Sequence, residues 1–366
     1  MLVKLKNYLD VKRGPGLPSE FYSEKGTLIR LTLGNFNYPS GGFKQNTSKK
    51  DIYYIGPIKD EYILNKDDLI TPLTEQVVGL LGETAWIPES NKYIQNGDIG
   101  LVIPIESKLN KKYCYYLLSS PLIKKQLSAG AQQTKIRHTS PDKIKDCVAP
   151  IPNIDLQRKI GNLLHIIDEQ IKNNSNMVEK LQVLSQTVFN YYYSNNNKKT
   201  VKLKTIAKMY QPETITGSDF IENGKYPVYG SGGIIGRYDK YNHTDSELMI
   251  SCRGLCGNIS LSLPYSWIIG NQMIIKPSDS KLKYYLYNYL QIINLKKVET
   301  GSVQKQITRA NLENLDVELL DENILSLIAN RLELIHNELI KVIKMNDKLN
   351  SLKNTLLPLL INQQLT

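Results

Sequence analysis

The residues that could do chemistry are few, and their spacing argues against most reactions. Cys252 and Cys256 are close enough to share a metal, but no second pair follows and His243 stands alone nearby. Structural zinc needs four ligands, usually as two such pairs, so these read as free thiols, like Cys114 and Cys147, and no metal is expected. GSGGIIG (residues 230–236) has the glycines of a dinucleotide loop. That motif needs a strand before it and a helix after it. Here RYDKY follows, which has strand character, so the segment reads as a hairpin turn. The histidines His138, His165, His243 and His336 are scattered, and there is neither a P-loop nor an Asn-Pro-Pro or Asp-Pro-Pro run of the kind base-modifying enzymes carry. No acid/base pair, nucleophile or cofactor site is expected.

What remains is recognition chemistry. Lys and Arg outnumber Asp and Glu by 46 to 35, giving a formal charge of +11 and a pI near 9.2. A basic excess of this size suits a polyanionic partner. Arg and Lys can grip guanine edges, and Gln and Asn can grip adenine. The side chains placed for such work are Gln76, Gln133, Lys135 and Arg137 in the first half, and Arg237, Arg253, Lys305, Gln306 and Arg309 in the second. Phosphate contact is the other use of the same groups.

The elements that must position them are written twice. VKLK occurs at residues 3–6 and 201–204. GLLG (79–82) is echoed by GLCG (254–257), and GAQQTKI (130–136) by GSVQKQI (301–307) with Gly, Gln and Ile in step. At the same spacing Tyr113 aligns with Tyr284 and Tyr116 with Tyr287. Each copy ends in a long heptad-like segment. The first seam runs Ile160, Leu164, Ile167, Ile171, Asn174, Val178, Leu181, Ser185, Val188; the second runs Ile328, Leu332, Ile335, Leu339, Val342, Asn346, Leu349, Lys353, Leu356. Alternating steps of four and three predict a coiled coil. Asn174 and Asn346 interrupt the two seams, and a buried amide there can fix helix register.

Boundaries follow from the breakers. Pro150 and Pro152 close a first globular unit over 1–152, a spacer helix covers 153–195, a second unit covers 196–320, and a second spacer covers 321–366. SNNNKK (194–199) reads as a polar linker, and further helices are expected near 112–127 and 282–295. Both units are rich in Gly, Tyr and β-branched residues, which predicts α/β (α+β) domains with curved, mainly antiparallel sheets beside an antiparallel coiled coil. The N-terminus has no apolar core and no run approaches the ~20 residues of a membrane span, so the expected compartment is the cytoplasm, with no membrane partner.

Taken in order, PIPNIDLQRKIGNLLHIIDEQI (150–171), YPVYGSGGIIGRYDKY (226–241), LMISCRGLCGNI (248–259) and GSVQKQITRANLENL (301–315) resemble the specificity subunit of Type I restriction-modification systems, and LIRLTLGNF (28–36) and LITPLTEQ (69–76) add to the likeness. The resemblance covers essentially the whole chain. It implies two target-recognition domains that each read one half of a bipartite site in double-stranded DNA. It also implies spacers that dock two methyltransferase subunits and, through them, the restriction subunits. The chain itself would be non-catalytic. The second spacer begins LLDENILSLIANRLELI, without the proline pair and QRKI of the first. Two other readings fit the residues: a coiled-coil adaptor whose globular units bind protein, and the recognition part of another DNA-modification system. At ~1.5 Å per residue a ~38-residue spacer is roughly 57 Å long, about 17 base pairs at ~3.4 Å each; this bounds the unread gap.

Overall fold

The computed structural model describes residues 2–38, 41–46, 50–129, 137–222, 224–301 and 305–364. The chain divides into two compact units, Met1–Lys172 with Asp347–Thr366, and Asn173–Asn346. Each unit therefore takes one globular domain and one half of each long helix.

In the first unit, Leu2–Lys4 pairs antiparallel with Val148–Pro150, closing the domain on itself with Val3 opposite Ala149. Leu5 is fully buried, and its N–H donates to the Cys147 carbonyl at 2.9 Å. The chain turns there into Leu9–Arg13, where Leu9 and Val11 face the core while Asp10 and Lys12 face out, the period of two that a half-buried strand demands. This strand begins a four-stranded antiparallel sheet continued by Ile99–Pro104, Leu69–Pro72 and Ala85–Trp86. A second sheet is mixed: Tyr93–Ile94 runs parallel to Ile29–Arg30 and antiparallel to Ile63–Leu64.

The second unit repeats the plan. Lys198–Lys202 pairs antiparallel with Asp316–Leu320, and the N–H of buried Leu203 donates to Leu315 at 2.9 Å. The four-stranded antiparallel sheet is Ala207–Tyr210, Gln272–Pro277, Leu248–Ser251 and Ile259–Leu261. Tyr226–Gly230 and Gly233–Tyr238 form the expected hairpin around the glycine run, and Trp267–Ile268 adds a parallel strand.

Three details depart from the sequence reading. The expected helix near 112–127 is two helices, Lys111–Ser119 and Pro121–Ala129, because Pro121 has no N–H to continue the first. The polar linker is shorter than its composition suggests: the helix runs to Asn195, and Lys198 and Lys199 already pair with Leu320 and Leu319. The third departure is register. The N–H of Ile307 donates to Cys252, and its counterpart in the first unit is the N–H of Thr139 donating to Leu73. Thr139 and Ile307 are both buried, and the next residues, Ser140 and Thr308, both cap short helices. Ile136, which matches Ile307 by letter, lies outside the described residues.

The long helices are Ile154–Asn195 and Glu322–Ile361. None of the seam positions named above is exposed; Ile160, Leu164, Ile167, Asn174 and Ser185 are buried on the first helix, and Ile328, Leu332 and Leu339 on the second. Within each unit the halves run antiparallel. In the first, Ile160 and Leu164 share a core with Tyr113, Tyr116 and Ile361. In the second, Phe189 shares one with Tyr285, Leu325, Ile328 and Leu332. Asn346 donates from Nδ2 to Ser175 Oγ at 3.2 Å, beside buried Asn174. No helix of the described residues is long and apolar enough to cross a membrane.

Candidate nucleic-acid interface

In the first unit, two segments far apart in sequence meet. Thr74–Glu75 pairs antiparallel with Arg137–His138, so Gln76 leaves the end of a strand whose neighbour carries Arg137. Glu75 is 2% exposed. One carboxylate oxygen accepts the N–H groups of Gly79 and Leu81, both at 3.0 Å, and the other lies 3.1 Å from Arg137 Nη1. Arg137 also donates to the Ser128 carbonyl at 2.7 Å and to Ser128 Oγ at 3.0 Å. Its guanidinium is thus committed to holding the turn. Gly79 has φ +100° and sits so close to Tyr38 that a Cβ would meet its hydroxyl at 2.5 Å, and that hydroxyl donates to the Val78 carbonyl at 3.0 Å. The result is a braced turn with Gln76, Val77 and Val78 on the outside, the valines 59% and 66% exposed. Gln133 and Lys135 lie outside the described residues.

The second unit builds the same turn differently. Ser251 Oγ donates to the Ser231 carbonyl at 3.1 Å, and buried Gln272 donates to the Gly230 carbonyl at 2.7 Å. These bonds tie the 226–238 hairpin to the strand that leads into Arg253 and to its neighbour, Gln272–Pro277. Gly254 and Gly257 have φ +76° and +83°, as Gly79 and Gly82 have +100° and +88°; GLLG and GLCG are therefore the same turn, with left-handed residues that favour glycine at both ends. Arg253 is exposed and has no hydrogen bond or ion pair among the described residues. Leu255 is 61% exposed. Because Ile307 bonds to Cys252, the segment Gln306–Ile307 runs beside Arg253.

The other sequence candidates have local partners. Lys305 pairs with Glu299 at 2.9 Å and Arg309 with Glu313 at 2.8 Å. Arg237 donates to the carbonyls of Gly224 at 2.6 Å and Lys225 at 3.1 Å, closing its own hairpin. Gln306 is exposed. The structure thus brings Gln76 beside Arg137, and Arg253 beside Lys305 and Gln306; Arg237 and Arg309 belong to neighbouring segments. Sequence reasoning passed over Val77, Val78 and Leu255, although apolar residues beside a turn glycine were a visible signal.

Among the described residues no group of His, Cys, Asp or Glu is placed to hold a metal. Cys252 is buried, and burial pushes its thiol above the usual range, away from the reactive thiolate. His243 bridges the Tyr210 hydroxyl at 3.0 Å and Asn242 at 2.6 Å, and burial holds its pKa down. The geometry is that of a duplicated α/β protein with one braced, solvent-facing turn per copy.

The chain belongs to the Type I restriction modification DNA specificity domain family, which it matches over residues 3–182 and again over 195–353. Its fold is similar to the crystal structure of a Type-I restriction-modification system S subunit from M. genitalium, with a TM-score of 0.63, 17% identity, and 99% of this chain and 96% of that chain covered. The HsdS subunit from Thermoanaerobacter tengcongensis aligns at 15% identity and TM-score 0.37, covering 100% of this chain and 97% of that one. A chain from a structure of type I R-M complex assembly aligns at 16% identity and TM-score 0.45, covering 100% and 98%. Among curated proteins no relative matches.

Proposed function

We propose that the chain is the sequence-recognition subunit of a Type I restriction-modification complex. It reads the two halves of a bipartite site in double-stranded DNA, one with each unit. It carries two methyltransferase subunits and, through them, the restriction subunits to that site, and catalyses nothing itself. The observation that carries this reading is the specificity-domain match recurring over both copies of the repeat. The charge of +11 supports it, since phosphate neutralisation supplies much of the affinity for DNA.

The test is the methylated motif. DNA modified by the assembled complex should carry a two-part motif with a gap of constant length. Exchanging residues 200–320 for the equivalent segment of a relative should change one half-site and leave the other intact. If both half-sites change together, the units do not read independently. Binding by the complex should weaken steeply with salt; affinity indifferent to salt would favour an adaptor that binds protein. Methyltransferase, nuclease or ATPase turnover by the contaminant-free chain would refute the non-catalytic assignment.

A further inference from the structure

The two glycine-closed turns occupy the same place in the repeat and have the same length, yet the residues exposed beside their glycines differ in position and chemistry. The first presents Gln76, Val77 and Val78; the second presents Arg253 and Leu255. Most other basic candidates have at least one donor engaged: Arg137 by Glu75 and Ser128, Lys305 by Glu299, Arg309 through Nε by Glu313, and Arg237 by two carbonyls. Gln76 and Arg253 have no such partner among the described residues. Both stand on turns held by buried polar groups, Glu75 in one case and Ser251 with Gln272 in the other. A group that reads a base edge must be unengaged beforehand and rigidly carried, since ordering a floppy loop on binding costs affinity.

We propose, resting on the function given above, that these two turns are the base-reading tips and that their chemistry sets different preferences. The turn of the first unit reads an A·T pair in the major groove. The Gln76 amide meets adenine N6 and N7, and the exposed valine methyls pack on the thymine C5-methyl, the one apolar group on that groove's floor. The turn of the second unit reads guanine, with the Arg253 fork on O6 and N7. The partner is duplex DNA rather than another protein because each apolar tip adjoins an unengaged amide or guanidinium on a chain with an excess of cations.

The experiment uses the full chain assembled with its methyltransferase subunits. It reads the methylated motif genome-wide, together with affinity for the wild-type site across a salt series. Arg253→Ala should relax one guanine in a single half-site, with discrimination falling about 5- to 150-fold, and leave the other half-site unchanged. Arg253→Lys keeps the charge but loses the two-pronged fork, so it should relax the same guanine while the salt slope stays constant. Gln76→Ala and the pair Val77→Ser, Val78→Ser should relax one A·T position in the opposite half-site. Unchanged motifs with weaker, salt-shifted binding would make the turns phosphate contacts and overturn the proposal. Loss of methyltransferase association from the valine variants, without a change of motif, would make that turn a protein-docking surface and overturn it as well. Either result leaves the broader reading standing. That reading fails separately, if the wild-type complex yields no two-part motif.

Discussion

His336 is 1% exposed, and desolvation, helped by the Lys283 ammonium, lowers its pKa from 6.5 to about 4. The groups facing it require a neutral ring. It stacks on Tyr284 at 4.5 Å with the planes 6° apart, and Tyr287 meets it edge-on. Asn288 donates from Nδ2 to the Tyr284 carbonyl, so its Oδ1 is the free acceptor and takes the Ser185 hydroxyl proton at 3.1 Å. Ser185 Oγ then accepts from His336 Nε2 at 3.1 Å, which fixes the tautomer. Unfolding frees the imidazole to titrate near 6.5. Above that pH neither state binds the proton, and the contribution to stability is complete. Between 6.5 and about 4 the unfolded chain holds one proton more, so stability falls as pH falls, by roughly 1.4 kcal/mol per pH unit and about 3 kcal/mol in all. The assay is the urea midpoint of unfolding of the second unit at several pH values, for the wild-type chain and for His336→Gln. The variant loses the stacked ring and should be less stable at pH 8, but the gap should close as pH drops from 6.5 towards 4. Parallel pH profiles would refute the argument, because they would mean that His336 titrates equally in both states.

Further outcomes follow from the same contacts. Lys353→Met should destabilise the first unit by about 1–3 kcal/mol, since it strips the cation 2.6 Å from the half-buried Asp168 carboxylate. The double variant Asp168→Asn, Lys353→Met should recover part of that loss in a thermodynamic cycle; simple additivity would mean the pair does not interact. Glu75→Gln should loosen the 76–81 turn by removing the charge that binds Arg137 and the N–H groups of Gly79 and Leu81. Hydrogen exchange at those two amides should quicken at least tenfold while the amides of the Ile99–Pro104 strand are unchanged.

The repeat, the helix seams and the hairpin at 226–238 were legible because periodicity and glycine spacing are local signals. The QRKI motif shows where such signals stop. Its Gln157 is buried, accepts the Asn110 N–H at 2.8 Å and donates to the carbonyls of Lys108 and Pro152. It therefore pins the first long helix to its own domain, a role that depends on three chain segments meeting and that no spacing reveals. Leu325, at the matching place in the second long helix, is buried too, so the missing motif there is an apolar solution to the same anchoring problem. The candidate site was legible only in part for a similar reason. Residue type identified Arg137 and Arg237 as able to grip a base, but whether a guanidinium is free depends on partners such as Glu75 and the Gly224 carbonyl, which only the fold supplies.

The two helix seams share a period, and period alone does not say which helix pairs with which; two first helices or two second helices could also meet. The polar residues discriminate. By the repeat, His336 stands where Asp168 does and Ser185 where Lys353 does, since Ile160 and Leu164 correspond to Ile328 and Leu332. In the first unit Asp168 binds Lys353 and the Tyr116 hydroxyl, the latter at 2.7 Å; in the second His336 binds Ser185. Pairing like with like in the same register would set Asp168 against Ser185, removing the cation from a half-buried carboxylate at the edge of the seam. It would also set His336, already held neutral by burial and the nearby Lys283 ammonium, against a second ammonium, that of Lys353. Both mismatches cost more than the neutral contacts return, because a charge taken out of water is tolerated only beside its counter-charge. Polar residues in and beside an apolar seam therefore exclude the like-with-like pairings that hydrophobic spacing alone would permit, the kind of role in helix pairing for which such residues are best attested.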